Sequence, residues 1–255
     1  MPELTPEHFD ATQYTKSEIS KYEAIYGRNF ISPGGARTSA EFVARLGLER
    51  GMKVLDIGCG IGGCAFQMAK HYGVRVDGVD ISRNMIEIGR ERCAQAGLAE
   101  RVRLIHGDVL EIEPGARYDA VHSRDAFLHI HDKDRLLAHI RGLLLPGRVL
   151  AFTDYCRGGD PASIEFDAYI EQRDYCLHTF DEYRRLLRRA GFVRIEADDE
   201  TPRFIEIHRR ELEQLPADAL GAGDADDLRD GWTAKIGRAE KGEQRWGWFT
   251  ARRPE

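Results

Sequence analysis

Residues 54–63 read VLDIGCGIGG, an apolar run that ends in glycines at 58, 60, 62 and 63 and passes straight into a helical pattern at Gly63–Tyr72. A buried strand that runs through glycines into a helix leaves the chain few folds to choose from. Lacking Cβ atoms, Gly58, Gly60 and Gly62 let the backbone turn sharply and lie close against a ligand. By itself Gly58-x-Gly60-x-x-Gly63 also fits a dinucleotide fingerprint, in which a pyrophosphate rests on the helix N-terminus. Two acids bear on the choice. Asp56 stands two residues before the first glycine, where negative charge suits a cationic ligand better than a pyrophosphate. Asp80 closes the next apolar run, about twenty residues on, where an acid reaches ribose hydroxyls. On these residues alone a nicotinamide enzyme, or a fold that has lost its ligand, stays open.

Around this turn the pattern alternates. Lys53–Gly58, Arg75–Ile81, Val102–Asp108, Tyr118–Arg124 and Arg148–Tyr155 read as strands rich in Val, Ile and Leu. Gly63–Tyr72, Arg83–Ala96 and Lys133–Leu145 carry apolar residues at helical spacing. Such alternation predicts a parallel sheet with helices on both faces and right-handed crossovers. Glu7–Gly27 reads as one or two helices before the loop FISPGG. Beyond the core, Pro161–Tyr175 and Phe180–Ala190 read as helices and Val193–Asp198 as a strand. Thr201–Leu215 reads as a polar helix, Pro216–Asp227 as a loop from its Gly, Ala and Asp content, and Trp246–Arg253 as a last strand.

The length, 255 residues, suits one α/β domain with elaborations. A formal net charge of −6 disfavours a protein built to hold a polyanion, so no nucleic-acid partner is expected. A small anionic substrate needs only a few cations in a pocket. No run of about 18 apolar residues appears, so neither a spanning helix nor membrane insertion is expected. MPELTPEHFDATQY is polar and acidic, unlike a signal peptide. Five cysteines without a CxxC pair read as thiols in a cytoplasm. The oligomeric state is not legible; a monomer is compatible with the sequence.

VLDIGCGIGG, GVDIS and HGDVL resemble the cofactor motifs of class I S-adenosylmethionine methyltransferases. The resemblance implies a Rossmann-like, mostly parallel seven-stranded sheet with helices on both faces and an N-terminal helical lid. It implies one domain over 1–255, with lid helices and loop at 7–35, a cofactor-binding core at 36–156 and substrate-binding helices and strands at 157–255. S-adenosylmethionine is the implied donor, S-adenosylhomocysteine its product, and no metal is expected. Gly58 and Gly60 then line the methionine part, Asp80 binds the ribose and Asp108 the adenine amine. Ile31, Ser32, Asp56, Ile81, Val109 and Arg124 complete the donor set.

QYTKSEISKYEAIYGRNFISPGG, HSRDAFLHI, TDYC, the stretch Tyr169–Tyr175 and DGWTAKI…RWGWF resemble the phosphoethanolamine N-methyltransferases, from about Gln13 to the C-terminus and most weakly between Pro202 and Asp227. Methylating such an amine carries a definite cost. An ammonium with a pKa of roughly 10 is about one part in a thousand neutral at pH 7, which amounts to about 4 kcal/mol if deprotonation is unassisted. A general base poised near neutrality is the direct remedy. His129 follows Asp125 by four residues at the carboxyl edge of the sheet. In the family, the residue matching His129 pairs with the one matching Tyr14 on the lid, and the residue matching Asp125 holds the amine and supports proton removal.

Tyr169 and Arg173 are four apart, so one helical face presents a phenol and a guanidinium together. The resemblance assigns phosphate binding to Tyr155, Tyr169, Arg173, Tyr175 and Lys235. Arginine forks match phosphate oxygens, lysine adds a point charge, and phenols donate without charge. Tyr14, Tyr22 and Asp125 are candidates to hold a methylated cation through aromatic faces and charge. An aminoalkyl phosphonate such as 2-aminoethylphosphonate would use the same clamp and base. A non-catalytic S-adenosylmethionine-binding module would need neither.

Overall fold

Alternation along the strands sends successive side chains to opposite faces, and each face has its own apolar core. The computed structural model describes residues 10–113, 115, 117–159, 161–215 and 222–255. Strand β1 (Lys53–Ile57) places Val54 in one core, with Phe42, Met68, Leu104 and Trp246, and Leu55 and Ile57 in the other, with Leu137, Ile140, Phe152 and Phe249. Helices α1 (Lys16–Tyr26) and α2 (Gly35–Ala44) precede β1, and α3 (Gly63–Tyr72) follows its glycine turn. The alternation continues through β2 (Arg75–Asp80), α4 (Arg83–Gln95), β3 (Val102–His106), β4 (Tyr118–Arg124), α5 (Lys133–Leu143) and β5 (Leu144–Arg157). The chain closes through α6 (Ile164–Arg173), α7 (Phe180–Arg189), β6 (Val193–Asp199), α8 (Thr201–Glu213), α9 (Ala222–Glu240) and β7 (Gln244–Arg252).

The sheet order is β3-β2-β1-β4-β5-β7-β6. Strands β1 to β5 pair in parallel, while β7 runs antiparallel to both β5 and β6. The seven-stranded expectation holds. Strand order reverses between β1 and β4, the switch point where open α/β sheets take ligands beyond the strands' carboxyl ends. Gly58, Asp80 and Asp125 all stand at that edge, at or just past the ends of β1, β2 and β4.

Local structure departs from the sequence-based expectation mainly near the C-terminus. Of the loop expected over Pro216–Asp227, residues 216–221 lie outside the described ones, and from Ala222 the chain is helical. Glycines and aspartates lower helix propensity there, but Ala225, Trp232, Ile236 and Ala239 are buried on one stripe, and that burial decides the outcome. Lys235 therefore projects from a helix. Strand β5 starts at Leu144 rather than Arg148, because α5 stops at Leu143, two residues early. In the N-terminal segment, Thr15 caps α1 by accepting the Glu18 N–H at 3.2 Å; residues 7–9 of the expected helical stretch lie outside the described ones.

Candidate active site

Two glycine positions shape the floor of a cleft of about 800 Å³ at the switch point. At Gly58 the backbone has φ +64°, and a Cβ would lie 2.3 Å from that of Ala126. At Gly60 φ is +54°, and its N–H donates to Asp80 Oδ2 at 2.8 Å. The other carboxylate oxygen of Asp80 accepts the Ser82 N–H at 2.8 Å. The acid ending β2 is thus pinned against the turn, with lone pairs left on both oxygens. Burial, foremost, raises its pKa.

Asp56 is 2 % exposed; its Oδ1 lies 2.7 Å from His122 Nδ1, while its buried Oδ2 has no hydrogen-bond partner among the described residues. Asp56 lines the cleft, so a cation there would satisfy that oxygen. Ile31, Ser32, Ile81, Asp108 and Val109 line the same cleft, Asp108 at an exposed position where it accepts the Leu110 N–H at 2.8 Å. A glycine cradle, an orphaned buried carboxylate oxygen and a pinned acid together fit a cationic nucleoside such as the expected donor. Arg124 also lines the cleft, but its direct bonds go elsewhere. It is buried and donates from Nη2 to Pro33 O at 2.9 Å and from Nη1 to Gly35 O at 3.5 Å. Those bonds hold the 31–35 loop at the wall of the cleft. Glu211 of α8 grips the same loop by accepting the Gly34 N–H at 2.7 Å.

The expected catalytic residues meet at the end of β4. Asp125 has φ +51°, and Oδ1 accepts from Thr153 Oγ1 at 2.9 Å and Trp246 Nε1 at 2.7 Å. His129 ends a short 3₁₀ turn, Phe127–His129, whose Leu128 N–H donates to Asp154 Oδ1 at 3.0 Å. Its ring meets Tyr175 edge-on at 5.3 Å between centroids. Burial, followed by the Lys133 charge, drives His129 down to about 4. At physiological pH the imidazole is therefore neutral, one ring nitrogen carrying an N–H and the other free to accept. Tyr14 lines the cleft with them, and burial pushes its phenol well above the ordinary value.

The residues expected at a phosphate converge on the same cleft. Tyr22, Tyr155, Tyr169, Arg173, Tyr175 and Lys235 all line it. Helix α6 delivers Tyr169 and Arg173 from one face, then ends at Asp174 with φ +53°, and the Tyr175 N–H turns back to Ile170 O at 3.0 Å. Lys235 Nζ lies 5.7 Å from the centroid of the Tyr155 ring, and Tyr169 meets Tyr175 at 5.8 Å. Arg173 is exposed, yet its charge acts on Tyr14, Tyr22, Tyr175, His129 and Lys235. Burial, then Arg173 and Arg238, lowers Lys235 to about 8.

Sequence reasoning missed several contributors. His122 gave no local signal, because it meets Asp56 only through the β1–β4 register. Gln13 lines the cleft, and Arg238 stacks on Tyr169 with Cζ 3.8 Å from the ring centroid. Thr153, Trp246 and Glu211 act by holding other residues. Among the described residues no cluster of three or more His, Cys, Asp or Glu could hold a metal ion, and no helix is long and apolar enough to cross a membrane.

Sheet order and glycine turn define a class I methyltransferase fold, and a family model described as a methyltransferase domain matches residues 54–147. Phosphoethanolamine N-methyltransferase 1 of Zea mays is 40% identical over 249 residues, covering 95% of this chain and 49% of that protein. The Plasmodium falciparum phosphoethanolamine N-methyltransferase is 31% identical, covering 94% of this chain and 92% of that protein. A solved Haemonchus contortus phosphoethanolamine N-methyltransferase 2, in complex with phosphomonomethylethanolamine and S-adenosylhomocysteine, matches with a TM-score of 0.92 and 37% identity over 97% of this chain and 59% of that one. The chain belongs to the phosphoethanolamine N-methyltransferase family. It spans about half the length of the maize relative and nearly all of the Plasmodium one.

Proposed function

We propose that the chain transfers methyl groups from S-adenosylmethionine to the nitrogen of phosphoethanolamine, and repeats the transfer on the mono- and dimethylated products to give phosphocholine. One domain, acting in the cytoplasm, would carry every step. One observation carries the reading: a single cleft joins the glycine turn and Asp80 to the Tyr, Arg and Lys cluster, and the Tyr14 phenol feels the charges of both Asp80 and Arg173. The solved Haemonchus relative, with a methylated phosphobase and the spent donor, supports it.

S-adenosylmethionine, when bound, supplies a methyl carbon already activated by its sulfonium. Gly58 and Gly60 give close backbone approach, Asp80 offers acceptors to ribose hydroxyls, and Asp56 Oδ2 meets positive charge. At the other end Arg173, Lys235 and the phenols of Tyr155, Tyr169 and Tyr175 fix the phosphate. The substrate nitrogen is thereby held near Asp125 and His129, so attack follows from geometry rather than chance encounter. Each transfer removes one proton from nitrogen. Asp125 Oδ2 and the neutral His129 ring accept its N–H bonds and lead the proton away, with Tyr14 above them. The final quaternary cation has no N–H left, and the Asp125 charge with the Tyr14 and Tyr22 rings holds it.

A substrate panel tests this reading. An anion held by paired, hydrogen-bonded cations is worth roughly 2–5 kcal/mol. So kcat/KM for phosphoethanolamine should exceed that for free ethanolamine by about a thousandfold. Equal values would remove the anion clamp from the account. Faster turnover of 2-aminoethylphosphonate would move the acceptor to a phosphonate, and donor binding without transfer to any member would leave a binding module.

Lys235 gives a pH prediction. Only its charged form attracts phosphate, so kcat/KM for phosphoethanolamine should fall as pH rises through about 8. In Lys235→Arg that limb should move to higher pH, because guanidinium stays charged. An unchanged alkaline limb in the variant would show that another group titrates there.

A further inference from the structure

A carboxylate that must meet a substrate nitrogen needs its direction fixed, and Asp125 is fixed from two other strands. We infer that Trp246, seconded by Thr153, is a positioning residue that aims the free oxygen of Asp125 at the methyl-accepting nitrogen. The inference rests on the proposed amine methylation.

Asp125 follows directly on β4 with φ +51°, a left-handed conformation that non-glycine residues adopt only where their surroundings hold them there. Three hydrogen bonds do so. Its N–H donates to Thr153 O at 2.9 Å, and its Oδ1 accepts from Thr153 Oγ1 at 2.9 Å and from Trp246 Nε1 at 2.7 Å. The sheet supplies both donors: Thr153 is the register partner of Arg124 on β4, and Trp246 that of Tyr155 on β5.

With Oδ1 doubly engaged, Oδ2 is buried and has no hydrogen-bond partner among the described residues, in a side chain that lines the cleft. A buried carboxylate oxygen of this kind is costly unless a ligand completes it, and an ammonium brings the N–H it lacks.

Trp246 cannot swing away. It is 0 % exposed, its ring packs edge-on to Phe42 at 5.3 Å and tilted against Phe204 at 5.7 Å, and its backbone N–H donates to Thr201 Oγ1 at 3.0 Å. The indole N–H therefore reaches Asp125 from a rigid wall. A carboxylate released from it rotates about its side-chain bonds, and its charge no longer points at nitrogen.

The test is a double-mutant cycle read in single turnovers with labelled donor, which resolve rates far below wild type. Trp246→Phe keeps an aromatic ring and removes the donor. It should lower the methyl-transfer rate on phosphoethanolamine by about 10- to 100-fold, the range for losing a hydrogen bond to a charged group. Donor affinity should stay within about twofold. In an Asp125→Asn background the same change should alter the rate by less than about threefold, because the group being aimed is already gone. Thr153→Val, a smaller change in the core, should follow the same pattern with about a 5- to 10-fold loss, and it decides the matter if Trp246→Phe does not fold. Equal losses with Asp125 and with Asn at position 125, or no loss in either variant of an active protein, would overturn the positioning role and leave the proposed function standing. A wild-type protein that methylates no phosphobase would overturn both.

Discussion

Asparagine in place of Asp125 should lower kcat on phosphoethanolamine by about a thousandfold, within the range seen when a positioned proton acceptor is lost. Affinity for the methyl donor should stay within about twofold. The side chains are nearly the same size, and Asn can still accept from Trp246 and Thr153 through its carbonyl oxygen. What disappears is the negative charge on the atom turned toward the cleft; the amide NH2 left there is itself a donor, which an ammonium cannot accept from. His129 cannot compensate. Burial holds it near a pKa of about 4, so it accepts a hydrogen bond but captures a proton weakly at pH 7. Steady-state kinetics in both substrates, with calorimetry of donor binding, separates the effects. Equal losses in kcat and donor affinity would mean that Asp125 supports the donor side of the cleft instead.

Arg173→Met should raise KM for phosphoethanolamine by about 10- to 100-fold, as expected when a hydrogen bond to a charged group is lost. The KM of the donor and the rate on free ethanolamine should barely change. Arg173 is exposed, so the substitution leaves the core of α6 intact. Its charge nonetheless reaches the phenols of Tyr14, Tyr22, Tyr169 and Tyr175, as well as His129 and Lys235, which puts it at the hub of the anion end. Initial-rate measurements on both acceptors decide the point. A comparable loss on free ethanolamine would mean that Arg173 orders the lid rather than holding phosphate.

Much of this site is legible where function rides on local spacing. The glycine turn, Asp80, and the Tyr169–Arg173 face each lie within one strand–turn–helix unit or on one helix. The exit of Tyr175 is not readable: the helical pattern runs on to it, and only the left-handed turn at Asp174 ends the helix at Arg173. Contacts that depend on register are not readable: His122 meets Asp56 only once β4 lies beside β1, and Trp246 reaches Asp125 across 121 residues. Helix α9 escaped because Gly and Asp argue for a loop, while the buried stripe of Trp232 and Ile236 argues for a helix only against a packed core. The lowered basicity of His129 is a property of burial, which no motif carries. The bonds from Arg124 to the carbonyls of Pro33 and Gly35, 91 and 89 residues away in sequence, are likewise invisible to local spacing.

Everything specific comes down to nitrogen being methylated in a pocket that holds a phosphate at its far end. Mass spectrometry of products formed from phosphoethanolamine and S-adenosylmethionine reads that directly. The expected result is the successive appearance of mono-, di- and trimethylated phosphobases, with one S-adenosylhomocysteine released for each methyl gained. A protein that binds the donor but leaves phosphoethanolamine unmethylated would contradict it.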